Sequence, residues 1–152
     1  MNGVELFLLG RTLMKIGEDA LPEPPGGSRR YPGSARNVLI AAGDIAFHPG
    51  TTVGEIAART GLPQSQISTA VARLKEAGAV TTALDPADRR RTLIRPAGRP
   101  SARVAEVRST DVHDALVAAL GGEPDPAHLA ELTAALDVLA RHLLSPDVPP
   151  QD

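Results

Sequence analysis

TTVGEIAARTGLPQSQISTAVARLKEAGAV, residues 51–80, encodes two short helices and the sharp turn between them. Thr52-Val53-Gly54-Glu55 fits a capping box, in which a Thr hydroxyl and a Glu carboxylate satisfy free amides reciprocally at a helix start. The short helix that follows is expected to bury Val53, Ile56 and Ala57. Gly61 then sits where the chain must reverse with positive φ, and Leu62 can plug the turn. Pro63 allows a new helix from about Gln64 to Ala77, with Gly78 as its stop. Two steeply crossing helices need a small residue at the contact, a glycine in the turn and a branched residue in the angle. Ala57, Gly61 and Ile67 supply them, which is the pattern of a helix-turn-helix.

The second helix divides cleanly at about 100° per residue. Ile67, Ala70, Val71 and Leu74 fall on one side and face a core. Ser65, Ser68, Thr69, Ala72 and Arg73 fall on the other, with Gln64 and Gln66 exposed at the first turn. A merely solvated face would more often carry Glu, Lys and Arg, because Ser and Thr are mediocre helix formers. Short polar groups suit base edges instead: Gln pairs with adenine, Ser and Thr meet bases or phosphates, and Arg reaches guanine or phosphate.

After the helix, Val80–Leu84 alternates with Thr and reads as a strand, as does Thr92–Arg95. Between them lies Asp85-Pro86-Ala87-Asp88-Arg89-Arg90-Arg91, an Asp-Pro turn followed by three arginines at a hairpin tip. Such a tip is ordinarily a solvated loop. Directly after a helix-turn-helix it reads as a wing, and arginine is the side chain suited to a narrow minor groove.

Outside this segment the chain is helical. Leu6, Leu9, Leu13 and Ile16 form one narrow apolar stripe, and Leu129, Leu132, Leu136, Leu139 and Leu143 form another. Stripes of this spacing are the seams by which helices pair, within a chain or between chains. Asp125-Pro126 offers a capping oxygen and a preset φ for the last helix, which Pro146, Pro149 and Pro150 end. A further helix is expected from about Pro100 to Leu120, burying Val104, Val107, Leu116 and Leu120 and stopped by Gly121 and Gly122. Ser34 is read as the cap of a helix burying Val38, Ala42 and Ile45. The run from Pro22 to Gly33 is a Pro/Gly loop whose Arg29-Arg30 pair reads as solvated charge.

The net charge of −2 conceals an asymmetry: residues 51–100 carry eight Lys and Arg against four Asp and Glu, the rest eight against fourteen. That pattern places one basic surface on a repelling body. Phe7, Tyr31 and Phe47 are the whole aromatic set, too few for a base-stacking platform, which favours duplex over single strands. With no cysteine there is no disulfide, thiolate metal site or thiol switch. No apolar run suggests a membrane span, and the first residues lack the marks of a signal peptide, so a cytoplasmic protein is expected. His48, His113, His128 and His142 show no ligand spacing, and no nucleophile or phosphate loop is recognisable. Neither an enzyme nor a cofactor is expected.

From Ser34 to Gly98 the chain resembles the MarR family of bacterial winged-helix regulators, on TTVGEIAARTGLPQSQISTAVARLKEAGAV and DPADRRRTLIRPAG. Asp88 and Arg90 stand at the family's D-x-R of the wing, whereas Pro63 replaces the Ser or Thr common at the helix cap. The resemblance implies a mainly α fold with a small β-hairpin wing: a DNA-binding lobe over 34–98, and a helical dimerisation lobe from 1–21 and 99–146. It implies a homodimer paired through Leu6, Leu9, Leu13, Leu129, Leu132, Leu136, Leu139 and Leu143, bound to double-stranded DNA at a pseudo-palindromic operator. Gln64, Ser65, Gln66, Ser68, Thr69 and Arg73 would then lie on the recognition helix. On the wing, Arg90 would enter the minor groove between Arg89 and Arg91, with Asp88 bracing basic side chains. A small-molecule effector is a possible partner by the same resemblance. The competing reading is a winged helix that binds protein and not DNA, which predicts neither the polar helix face nor the arginine tip.

Overall fold

The computed structural model describes residues 1–22, 35–122 and 124–144. The Arg29-Arg30 pair, Ser34 and Pro146, Pro149 and Pro150 lie outside the described residues, as does all but the first residue of the Pro/Gly run. The chain divides into two compact units, Met1–Ala20 with Asp111–Asp152, and Leu21–Thr110.

The second unit contains α2 (Ala35–Phe47), α3 (Val53–Thr60), α4 (Gln64–Glu76), β1 (Val80–Leu84), β2 (Thr92–Pro96) and α5 (Ala102–Arg108). Its core is built from branched and small side chains. Ala41 and Ile45 of α2, Ile56 of α3, and Ile67, Ala70, Val71 and Leu74 of α4 are buried together with Val80 and Ile94 of the hairpin. Val38, Ala42, Val53, Ala57 and Leu62 pack around them. Fully burying one such side chain stabilises by about 1.5–3 kcal/mol, so this cluster fixes how the three helices cross.

Local chemistry sets the boundaries. The capping box at the start of α3 forms as expected: the Thr52 hydroxyl accepts the Glu55 amide, and the Glu55 carboxylate accepts the Thr52 amide. Gly61 ends α3 at φ 71° and returns its N–H to Ala57. Pro63 precedes α4 with no side-chain cap bond. At the far end of α4, the Ala79 amide reaches back to the Leu74 carbonyl and the Gly78 amide to that of Lys75, a Schellman closure with Gly78 at φ 73°.

β1 and β2 pair antiparallel with Thr82 opposite Ile94. A third short stretch joins them, because Thr51 bridges to Ile94 before α3 begins. The Ile94 amide donates to the Thr51 carbonyl at 2.7 Å, which ties the root of the wing to the entrance of α3.

The first unit comprises α1 (Gly3–Ala20), α6 (His113–Ala119) and α7 (Pro126–Leu143). Leu116 and Leu129 are its buried side chains among the described residues. Asn2 and Glu5 form a capping box at the start of α1 that the sequence reading did not identify: the Asn2 side chain accepts the Val4 and Glu5 amides, and Glu5 accepts the Asn2 amide.

Two expectations need correction. The helix expected from Pro100 to Leu120 is two helices, α5 and α6, and Leu120 is exposed. Ser109 and Thr110 both donate their hydroxyls to the Glu106 carbonyl, and Asp111 accepts the His113 amide. A run of Ser, Thr and Asp thus offers the backbone local partners that compete with helix continuation. Asp125 does precede α7 with Pro126 in its first turn, but its side chain makes no capping bond. No described helix is long and apolar enough to cross a membrane.

Candidate nucleic-acid interface

α4 presents the residues singled out on it according to its period. With Ile67, Ala70, Val71 and Leu74 turned into the core, Gln64, Ser65, Gln66 and Ser68 are exposed and Thr69 and Arg73 are half-buried on the flank. They are not equally available. The Thr69 hydroxyl donates to the Ser65 carbonyl at 3.0 Å, so its proton is committed and its oxygen is left to accept. The Gln64 amide lies over α3, where a Cβ on Gly54 would come within 3.3 Å of Nε2. Gln66 accepts a 2.9 Å hydrogen bond on Oε1 from Nδ2 of Asn37, a residue of α2 that sequence reasoning missed. Its partner is 29 residues away, and no periodicity joins the two.

The hairpin tip is shaped by its aspartates. Asp85 accepts the Ala87 amide at 2.9 Å and Asp88 accepts the Arg90 amide at 3.0 Å, both side chains closing tight turns. Asp88 therefore meets the backbone of Arg90. Arg89 and Arg90 are exposed, and among the described residues neither enters an ion pair. Arg91 points elsewhere: its guanidinium binds Glu55 of α3 at 2.6 Å and lies 4.0 Å from Asp85.

That contact belongs to a network invisible in the sequence. Arg59 of α3 donates from Nε and Nη2 to the two oxygens of Asp44 of α2, at 2.9 and 2.7 Å. The same Nη2 donates to the buried Thr51 hydroxyl at 2.6 Å, and that hydroxyl donates to Glu55 at 3.2 Å. His48 Nδ1 stands 3.7 Å from Asp44. The Glu55 carboxyl is held below its usual range, chiefly by the Thr52 amide. Burial works against that effect, and the Thr51 hydroxyl and the Arg91 charge reinforce it. Arg59 is pushed up, chiefly by its hydrogen bond to Asp44. The one sequence hint was the spacing of Glu55 and Arg59, four apart on α3, yet the main partner of Arg59 comes from α2. With both hydroxyl functions of Thr51 engaged, the cluster braces α2, α3 and the wing. Among the described residues no group of three His, Cys, Asp or Glu could hold a metal ion.

The leucine stripes lie in the first unit. Leu129 is buried, whereas Leu13, Leu132 and Leu136 are half-buried. Leu6, Leu9, Leu139 and Leu143 are exposed, Leu143 to 71% of its surface, and Val4, Phe7 and Leu8 of α1 are exposed beside them.

Residues 39–91 match the MarR family model. Among curated proteins none matches the chain by sequence. Among the solved structures similar to it, two illustrate the shared fold. Wild-type MarR from E. coli, in the apo form, superposes with a TM-score of 0.54 at 15% identity, covering 87% of this chain and 93% of its own. A mutant form of MepR from S. aureus superposes with a TM-score of 0.52 at 16% identity, covering 94% and 99%. The segment similar to the MarR family model runs from within α2 through α3, α4 and β1 to Arg91 at the wing tip, and the chain has the winged helix-turn-helix fold of these two structures.

Proposed function

We propose that the chain is a homodimeric transcriptional regulator that binds double-stranded DNA in a sequence-specific way. The observation that carries this reading is the construction of the second unit. α4 spends its apolar side on the core, leaving Gln64, Ser65, Gln66 and Ser68 outward, and exposed Arg89 and Arg90 cap the wing. In this reading α4 is the recognition helix and enters a major groove, where Gln64, Ser65, Gln66, Ser68, Thr69 and Arg73 meet bases and phosphates. Arg90 enters the adjacent minor groove, Arg89 serves the phosphates and Asp88 holds the tip in shape, whereas Arg91, expected beside them, is held by Glu55 and braces the wing against α3.

Residues 34–98 are the DNA-binding lobe, and 1–21 with 99–146 the dimerisation lobe; α5, compact with the second unit, lies at that boundary in sequence. Exposed Leu6, Leu9, Leu139 and Leu143 support pairing between chains through α1 and α7. Half-buried Leu13, Leu132 and Leu136 complete that interface, whereas Leu129, expected in it, is buried within the chain's own first unit. A two-fold dimer reads a pseudo-palindromic operator with half-sites about one helical turn apart. A small-molecule effector would act by favouring a half-site spacing that DNA does not accept, and only by as much as it discriminates the two states. The protein would work in the cytoplasm without a cofactor, as a binder and not an enzyme.

Selection from a randomised duplex pool, followed by titration at several salt concentrations, tests the reading. A selected site should bind with a log–log salt slope of roughly −0.9 per phosphate contacted. Failure to enrich any duplex, with no salt-dependent binding, would reject DNA recognition.

A further inference from the structure

We propose that Asn37 of α2 sets the base preference of Gln66, making it a reader of keto bases. The inference rests on α4 being the helix that enters the major groove. A glutamine amide offers an acceptor oxygen and a donor NH2. The familiar pairing with adenine uses both at once: Oε1 accepts from N6 while Nε2 donates to N7, coplanar with the base edge. Here Oε1 is turned towards α2 and accepts from Nδ2 of Asn37 at 2.9 Å. Gln66 is exposed and Asn37 half-buried, so the hydrogen bond anchors the amide from the protein side.

The amide thus meets the groove with Nε2. A donor by itself favours edges that present acceptors. Guanine offers O6 and N7, and thymine offers O4, whereas adenine keeps N7 alone and both adenine and cytosine place an amino group where the keto oxygen would be. An amino group facing Nε2 sets donor against donor, and the glutamine oxygen is turned towards α2 by its hydrogen bond from Asn37. Gln66 therefore favours guanine or thymine over adenine or cytosine at the base it faces. Asn37 touches no base and acts through Gln66, as a positioning residue.

The experiment uses the full chain and duplexes selected from a randomised pool. The base pair facing Gln66 is found as the position where Gln66→Ala abolishes preference. Competition between duplexes differing only there gives a keto-to-amino ratio, expected at roughly fivefold to tenfold for the unmodified protein. Asn37→Asp replaces the donor by a carboxylate that can only accept. It captures Nε2, turns Oε1 to the groove and inverts the ratio towards adenine or cytosine. Its added negative charge weakens all duplexes alike and leaves the ratio readable. Asn37→Ala frees the amide to present either edge and brings the ratio close to one. A residue that merely supports α2 would lower every affinity and leave the ratio unmoved. An unchanged ratio in both Asn37 variants, with selection still intact, overturns the inference while sparing DNA recognition. If the unmodified protein enriches no duplex at all, DNA recognition fails first and the inference falls with it.

Discussion

Replacing Gly61 and Gly78 by alanine, one at a time, separates backbone strain from packing in the helix-turn-helix. Both glycines hold a left-handed backbone, φ 71° and 73°. A side chain there costs about 1–2 kcal/mol. Stiffening of the unfolded chain offsets about 0.4–1 kcal/mol of that. At Gly61 no heavy atom lies within 4 Å of the added Cβ, so Gly61→Ala should destabilise by about 1 kcal/mol in net. At Gly78 the same Cβ would meet the Ser101 Cβ at 3.2 Å. Ser101 is not free to retreat. Its hydroxyl donates to the Ala77 carbonyl at 2.6 Å and accepts the Val104 amide at 3.2 Å, capping α5. Overpacking adds about 1–3 kcal/mol, which brings Gly78→Ala to about 2–4 kcal/mol. Urea unfolding at one fixed protein concentration measures both. With an m-value of about 2 kcal/mol/M, the midpoints should fall by about 0.5 M and about 1–2 M. In a Ser101→Gly background, Gly78→Ala should cost no more than Gly61→Ala, a coupling of about 1–3 kcal/mol. Equal midpoints for the two alanine variants, or no coupling to Ser101, would refute the packing argument.

Arg90→Ala should cost about 1–3 kcal/mol of duplex affinity and lower the salt slope by about one contact, without moving the urea midpoint. Unaltered affinity removes Arg90 from the interface. Leu139→Asp should render the proposed dimer monomeric by sedimentation, since a carboxylate cannot be buried cheaply in an apolar seam; a variant that stays dimeric shows that α7 is not the seam. Glu55 has a folded carboxyl pKa below its unfolded value, so its contribution is complete above the unfolded value and fades as pH falls through the lowered one. Glu55→Gln keeps a capping partner for Thr52 and removes that titration, so the acid limb of stability against pH should flatten. An acid limb as steep as that of the unmodified protein would mean that other carboxyls govern it.

Most of the second unit could be read from local rules, and the reasons are visible in particular residues. Thr52 and Glu55 lie three apart, Gly61 and Gly78 sit at helix ends, and Ile67, Ala70, Val71 and Leu74 share one face of α4. Each of these signals acts within a turn or two of chain, where spacing alone decides which atoms meet. The same locality explains the error over Pro100–Leu120. Apolar spacing suggested one helix, but Ser109, Thr110 and Asp111 bind nearby backbone and divide it. Their competition with the helix is a matter of hydrogen-bond geometry that periodicity does not register.

Contacts between distant elements were beyond such rules. Arg91 looked like a third finger of the wing, yet it is drawn to Glu55, 36 residues earlier. Arg59 is held by Asp44 from another helix, 15 residues earlier. Asn37 gave no signal at all before α2 and α4 were seen to cross. Amino-acid order settled which helices form and which side each buries, because those choices depend on neighbours along the chain. Which polar groups the charged and amide side chains find was settled by packing, because the burial of Ile45, Ile56 and Ile67 brings α2, α3 and α4 together.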